Sequence, residues 1–411
     1  MNRVVITGIG IVSPIGNNIE EFWSNVKAGN HGIQMIDRFD TKDFPVKVAG
    51  QVKGFNPLLS FSKKELRHND LYCQYAVEAT RQAISDCGTD FKELDPYRIG
   101  VIVGSGIGGI NTLESEYGKF IEKGSRRVSP FTIPMLISNM AAGTIAIKYG
   151  FKGINYALVS ACATSTHTIG EAFEAIKCGR LDVCVAGGSE AAITEFTLAG
   201  FNNMKALSDS DDPDRASIPF DKDRNGFVMG EGGAILILES LENAKKRNAK
   251  IYAEVIGYGA TEDAYHITSP DPTGEAACQA ILIACNEGGI NPSEIDYINA
   301  HGTSTPINDK YETNAIKLAL KDSANDVLIS STKSMTGHLL GAAGALEAIV
   351  CVKAIDDNFV PMTVGYKNFD PDCDLNYVVN GGIEKEVKYT ISNSLGFGGH
   401  NATICIKKFE E

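Results

Sequence analysis

The stretch Asn155-Tyr-Ala-Leu-Val-Ser-Ala-Cys162-Ala-Thr-Ser-Thr-His-Thr-Ile169 decides how this chain reads. Its apolar first part predicts a buried strand over 155–159. The second part runs on through Phe173 and Ile176 with apolar residues at helical spacing, and predicts a helix over 164–178. A cysteine stands at the changeover. The device recurs twice more: Asp296-Tyr-Ile-Asn-Ala300 reads as a strand ending at His301, and Val327-Leu-Ile-Ser-Ser331 as a strand leading to Lys333 and His338 ahead of a helix. In open α/β sheets ligands bind beyond the carboxyl ends of strands. Three such ends bearing a thiol, two imidazoles and an ammonium therefore predict a functional site.

Outward from these points, short β-branched runs at 4–9, 99–103, 183–186 and 234–238 read as buried strands, with a helical pattern at 71–87. After a polar helical stretch at 241–248 the pattern restarts. Strands are predicted at 251–256, 297–300, 327–331, 389–392 and 402–406, and helices at 274–287 and 341–355. The alternation predicts an α/β fold with helices covering sheet faces. The shared order on either side of residue 250 predicts two related halves, 1–250 and 251–411. No short-period repeat is present, which excludes solenoids and propellers. The acidic run at 208–214 reads as a solvated loop, since it lacks the glycine and closing glutamate of a calcium loop.

Composition narrows the classes. The 411 residues are 43% hydrophobic and 22% charged, with a net charge of −13, an ordinary globular make-up. Nucleic-acid binding, which needs clustered cations, is disfavoured. No apolar stretch is long enough to span a membrane. The apolar run from Val4 to Val12 is interrupted by Gly8 and Gly10 and reads as a first strand rather than a signal peptide. The ten cysteines show no C-x-x-C pair, so reduced thiols and a cytoplasmic location are expected.

Cys162 stands apart from the other cysteines because it precedes a helix. There the dipole and free N–H groups would lower a thiol pKa and could receive an oxyanion; a small residue filling a tight turn is the alternative. His301 and His338 each fit a catalytic or a structural role. His31, His68, His167 and His266 read as structural. Gly104-Ser-Gly-Ile-Gly-Gly109 is formally a dinucleotide fingerprint, but the long polar stretch after it, with Gly118, Gly124, Arg126 and Arg127, does not supply the compact βαβ unit such a site wants. No nicotinamide cofactor and no metal are expected.

The combination is more specific than its parts. Ser160-Ala-Cys162-Ala-Thr-Ser, Asn299-Ala-His301-Gly-Thr-Ser-Thr-Pro306, Ser331-Thr-Lys333-Ser-Met-Thr-Gly-His338 and Asn393-Ser-Leu-Gly-Phe397-Gly-Gly399, in this order and spacing, resemble the β-ketoacyl-acyl-carrier-protein synthases in their bacterial type II form. The resemblance runs from Val4 over essentially the whole chain. It implies a thiolase-like fold, with two related α/β halves in a five-layered αβαβα arrangement, usually dimerised. It also implies decarboxylative condensation of malonyl-acyl-carrier protein with an acyl chain held on Cys162.

The resemblance carries roles residue by residue. Cys162 matches the nucleophile, and His301 and His338 the pair that polarises the malonyl thioester. Lys333 matches a buried lysine beside them, with Glu312 as its expected counter-charge. Phe397 matches an aromatic gate, whose N–H with that of Cys162 forms an oxyanion hole. Thr303, Thr305 and Ser269 match contacts to the phosphopantetheine arm, and Ile107 and Phe201 the acyl pocket. His400 is expected on the surface or behind the site. Two histidines separate this chain from starter-condensing relatives, which pair one histidine with an asparagine. The absence of a second cysteine near Gly399 separates it from degradative thiolases. The expected partners are acyl carrier protein and a second copy of the chain, with neither nucleic acid nor membrane. An acidic carrier calls for a local basic patch, and Lys63, Lys64, Arg67, Arg126, Arg127 and Lys205 are the candidates. A polyketide-type ketosynthase, a Cys–His hydrolase and a non-catalytic carrier-docking scaffold are the rival readings.

Overall fold

Each half of the chain lays its five strands down in the same spatial order. The computed structural model describes residues 1–411. The first half contributes β1 (Val4–Val12), β2 (Ile99–Gly104), β3 (Asn155–Tyr156), β4 (Val183–Glu190) and β5 (Gly232–Ser240), arranged β3-β2-β4-β5-β1. The second contributes β6 (Ala253–Glu262), β7 (Tyr297–Asn299), β8 (Leu328–Ser330), β9 (Tyr389–Gly396) and β10 (His400–Lys408), arranged β8-β7-β9-β10-β6. In each set the fourth strand, β5 or β10, runs antiparallel to both neighbours, and the remaining pairings inside the half are parallel. Three residue pairs, Val4 with Val255, Val5 with Glu254 and Ile6 with Ala253, join the halves into one ten-stranded sheet.

Six helices complete the layers: α1 (Leu71–Asp86), α2 (Met140–Tyr149), α3 (Thr164–Lys177), α4 (Glu275–Gly288), α5 (Pro306–Leu320) and α6 (Ala343–Asp357). Between the two sheet halves lie α3 and α6, whose Ile169, Phe173, Ala345, Ile349 and Val352 share one core with Ile6, Leu236 and Ile404. Outside the first half, Tyr72, Tyr75 and Ala79 of α1 and Ile145 of α2 pack on Val101, Val185 and Ile235. Outside the second, Ile281 and Cys285 of α4 and Ile316 of α5 pack on Ile298, Ile391 and Cys405. The result is a five-layered αβαβα stack. Each fully buried aliphatic or aromatic side chain in it contributes roughly 1.5–3 kcal/mol.

The duplication extends to single residues. Gly8 and Gly10 of β1 leave no room for a Cβ against the α1 carbonyls of Ala83 and Ala79, and Gly257 and Gly259 of β6 stand in the same relation to Ala284 and Ala280 of α4. In both halves a glycine pair lets the first helix lie directly on the first strand.

Several sequence expectations need correction. The strand predicted at 155–159 pairs only at Asn155 and Tyr156. Residues 157–160 leave the ladder, and the single turn Ala161–Ala163 intervenes before α3. The polar stretch after Gly109 is a helix, Ile110–Lys123. Its Leu113, Tyr117 and Ile121 recur at helical spacing but are largely exposed. Helices α2 and α5, and Ile19–Ala28 near the N-terminus, were likewise not expected.

Candidate active site

Cys162 sits in a strained elbow. Ala161 before it is left-handed at φ 49°, a conformation costing an L-residue with a Cβ about 1–2 kcal/mol. The turn points the thiol at the junction of the two halves. Burial pushes the Cys162 thiol up to about 12, while the charge of Lys333 and the N–H of Phe397, which donates to the sulfur, act the other way. The expectation of a thiol lowered by the helix end is thus overturned for the substrate-free site, because desolvation exceeds it. The resting group is a thiol.

His301 follows β7, and His338 follows β8 after the short helix Lys333–Thr336. The His338 N–H donates to Val228 O (2.7 Å) and its carbonyl accepts from the Gly230 N–H (2.8 Å), so the glycine-bearing 222–233 loop fixes its backbone. The two rings stand edge to face, with centroids 5.3 Å apart. The Leu340 N–H donates to His338 Nδ1 across 3.3 Å, and Lys333 Nζ lies 3.4 Å from His301 Nδ1. Both Nδ1 atoms therefore act as acceptors, which puts the hydrogen of each neutral ring on Nε2. His338 Nε2 has no protein partner although it is buried. Burial first, then the charge of Lys333, hold both imidazoles well below their ordinary value, so both are neutral at pH 7.

The thiol and the two imidazoles lie within 4.8 Å of one another, a spacing that superficially suits a metal ion. A metal on Nε2 would need each ring in the opposite tautomer, with an Nδ1 hydrogen facing the Leu340 N–H or the Lys333 ammonium. The second partners present on each ring make them hydrogen-bond donors, not ligands.

Lys333 is 1% exposed and donates to Glu347 of α6. Glu347, not Glu312, is its counter-charge. Glu312 accepts instead from the His301 and Gly302 N–H groups, both at 2.7 Å, and so anchors the His301 backbone. A lone glutamate in the apolar run Ala343–Ile349 was the sequence signal for Glu347. Burial raises both Glu312 and Glu347 to about 7.

Phe397 occupies the tip of the β9–β10 hairpin, between Gly396 and His400, which close it as a pair. A Cβ on Gly396 would lie 2.6 Å from Ser160 O and 3.3 Å from Cys162 N. Glycine there keeps open the space beside the Cys162 and Phe397 amides.

A cavity of about 560 Å³ leads to these groups, lined by Cys162, His301, His338, Phe397, Thr303, Thr305, Ser269, Phe201 and Lys205. The Thr303 and Thr305 hydroxyls are 3.0 Å apart on one wall. Ile107 does not line this cavity; it packs behind, in the apolar cluster that includes Cys162, Ile110 and Leu340. His400 is half-exposed and paired with Glu262 at 3.1 Å. His31 faces Asp214, and His167 faces the Tyr258 hydroxyl; neither reaches the cavity. Lys63, Lys64, Arg67, Arg126, Arg127 and Lys205 are all exposed. The His68 ring stacks on Phe131 at 3.8 Å. Lys205 stands at the cavity mouth.

Comparison with known proteins identifies the family. Residues 1–244 match the family model "Beta-ketoacyl synthase, N-terminal domain", and residues 252–367 match its C-terminal counterpart. The chain is 50% identical to a 3-oxoacyl-[acyl-carrier-protein] synthase 2 of Staphylococcus aureus over 408 residues, covering 99% of each. It is 49% identical to the enzyme of that name from Synechocystis sp., covering 99% of this chain and 98% of the other. A solved type II polyketide ketosynthase in complex with its acyl-carrier protein superposes over the full length of both chains, with a TM-score of 0.92 and 35% identity. On the sequence matches and the shared fold together, this chain belongs to the β-ketoacyl synthase family.

Proposed function

We propose that this protein is a 3-oxoacyl-[acyl-carrier-protein] synthase that elongates fatty-acyl chains by decarboxylative condensation with malonyl-acyl-carrier protein. The observation carrying this reading is the meeting, within 4.8 Å, of a buried thiol and two neutral imidazoles at the end of one cavity.

The geometry divides the chemistry. Sulfur of Cys162 attacks the carbonyl carbon of the acyl thioester; the S–C bond to the carrier arm breaks, and the arm leaves as a thiol carrying the cysteine's proton. The N–H groups of Cys162 and Phe397 receive the oxyanion. Malonyl-carrier then enters, its arm held by Thr303, Thr305 and Ser269. Its thioester oxygen accepts from Nε2–H of His301 and His338, so the electron pair released as carbon dioxide departs is stabilised as an enolate. Carbon attacks the acyl carbonyl, and Cys162 leaves as a thiolate that takes a proton from solvent, the one proton the overall reaction consumes. Neutral donors suit this step, since the charge appears only in the transition state. Lys333, held by Glu347, keeps the His301 hydrogen on Nε2. Phe397 gates the acyl chain, and Phe201, with Ile107 behind it, shapes the pocket.

We divide the chain functionally at residue 250, with the nucleophile in 1–250 and the histidines in 251–411. The carrier docks on Lys63, Lys64, Arg67, Arg126, Arg127 and Lys205. A homodimer is supported by the exposed apolar face of helix Ile110–Lys123, where Tyr117 is 61% and Ile121 64% exposed, and by the nearby Ile133 and Ile147. Strand β3 also offers an unpaired sheet edge. No helix is long and apolar enough to cross a membrane, and all ten cysteines are free thiols, which supports a cytoplasmic setting.

Acyl-carrier and malonyl-carrier supplied together should give a β-ketoacyl chain two carbons longer. Free fatty acid instead would establish a hydrolase, and no turnover a docking scaffold.

A further inference from the structure

Glu190 ends β4 fully buried, facing the glycine run Gly104–Gly109. Its Oε1 accepts from the Ser105 hydroxyl (2.9 Å) and the Ile107 N–H (3.1 Å); its Oε2 accepts from the Gly106 N–H (2.8 Å) and the Gly341 N–H (3.0 Å). Ser105 Oγ in turn accepts from the Gly108 N–H at 3.0 Å. Every partner is a donor and none is a charged side chain. Three backbone N–H groups and the Ser105 hydroxyl converge on the carboxyl, an arrangement that favours its charged form. Burial opposes this and raises its pKa, while the same four donors pull it back. The glycine run thus uses the device by which such loops grip a pyrophosphate, with the chain's own side chain as the anion.

The grip reaches two parts of the site. Ile107 lies on the gripped loop. Gly341 follows Leu340, which is left-handed at φ 49° and whose N–H reaches His338 Nδ1. A strained residue persists only where its surroundings over-determine it, and the bond to Glu190 at the next residue supplies that restraint. A side chain on Gly341 would collide with Gly106 N, so loop and turn are packed backbone to backbone.

We propose that Glu190 is a positioning residue: it ties the glycine loop carrying Ile107 to the Leu340–Gly341 turn, and thereby holds His338 with its hydrogen on Nε2. This rests on the role of His338 proposed above.

Glu190→Gln keeps the shape but turns an NH2 group against two donors. Decarboxylation of malonyl-carrier should fall about tenfold, as for a modest misplacement of a reacting group. Spectra of 15N-labelled histidine should show His338 moving from the Nε2–H form to a tautomer mixture, and the chain-length profile should change through Ile107. Ser105→Ala removes one of the four donors and serves if the glutamine variant does not fold. It should act in the same direction, about two- to threefold. A folded variant with an unchanged His338 tautomer overturns the proposal, whether its activity is normal or has fallen in parallel with its melting temperature. If His338→Ala itself leaves decarboxylation intact, the function proposed above fails instead.

Discussion

Lys333 Nζ lies 3.4 Å from Nδ1 of His301 and forms a fully buried ion pair with Glu347. One ammonium therefore sets the tautomer of a catalytic candidate and neutralises a carboxylate of the central helix layer. Removing one member of a buried pair strands the other charge, at about 3–5 kcal/mol. Lys333→Ala should lower urea-unfolding stability by that order, and the double variant Lys333→Met with Glu347→Leu should recover most of it. Neither should recover decarboxylation, because His301 Nδ1 has lost its donor. A double variant as stable and as active as the native protein would confine the lysine to a packing role.

The two half-reactions should separate. Cys162→Gln cannot accept an acyl group and should abolish condensation, yet its carbonyl can occupy the space beside the Cys162 and Phe397 amides, leaving malonyl decarboxylation intact or raised. His338→Ala should keep Cys162 acylation and lose decarboxylation about a hundredfold or more, as when one oxyanion donor is removed. Mass spectrometry of the acyl adduct and trapped carbon dioxide read both. Elongation by Cys162→Ala would falsify the assignment.

The histidines' contribution to stability should fall on mild acidification, while Glu312 and Glu347, raised to about 7, contribute in the opposite sense. The folded pKa values of the histidines are held below the ordinary 6.5, so above that pH neither state takes up a proton and the full contribution is present. Below it the unfolded chain binds protons that the folded one refuses, and the contribution is lost as pH falls towards the folded values. Between pH 6.5 and 5.5 each buried histidine accounts for about 1 kcal/mol. Urea titrations at the two pH values should show His338→Gln with a pH-dependent loss smaller by that amount. An identical loss would mean that His338 is protonated in the fold.

Carrier docking should be electrostatic. Arg126 and Arg127 are exposed on a protein of net charge −13, and reversing both to Glu should chiefly slow association at low salt. The difference should shrink as added salt shortens the Debye length to about 8–10 Å. Unchanged kinetics at low ionic strength would move the docking surface elsewhere.

The candidate site was legible because it lies at strand ends. Cys162, His301, His338 and Phe397 each fall where a periodic run breaks into a glycine- or threonine-rich turn, and such breaks survive in one dimension. Helix Ile110–Lys123 carries Ile110, Leu113, Tyr117 and Ile121 at helical spacing, but Gly118 and the charged residues among them make it read as a polar stretch; most of that stripe faces outward. The glycine pairs Gly8/Gly10 and Gly257/Gly259 were visible signs of the duplication, but their meaning depends on the helices they admit.

The sequence by itself determined the α/β class, the order of the main sheet strands and the candidate reacting groups, because periodicity, turn residues and local motifs are properties of neighbours along the chain. Only the tertiary structure decided their states. Glu347 displaced Glu312 as the partner of Lys333. Burial turned a thiol expected to be acidic into one raised to about 12. The Leu340 amide and Lys333 set which nitrogen of each histidine holds the hydrogen. Charge, tautomer and pKa follow from what lies within a few ångströms in space, and residues far apart in sequence supply those neighbours only after the two halves have closed on each other.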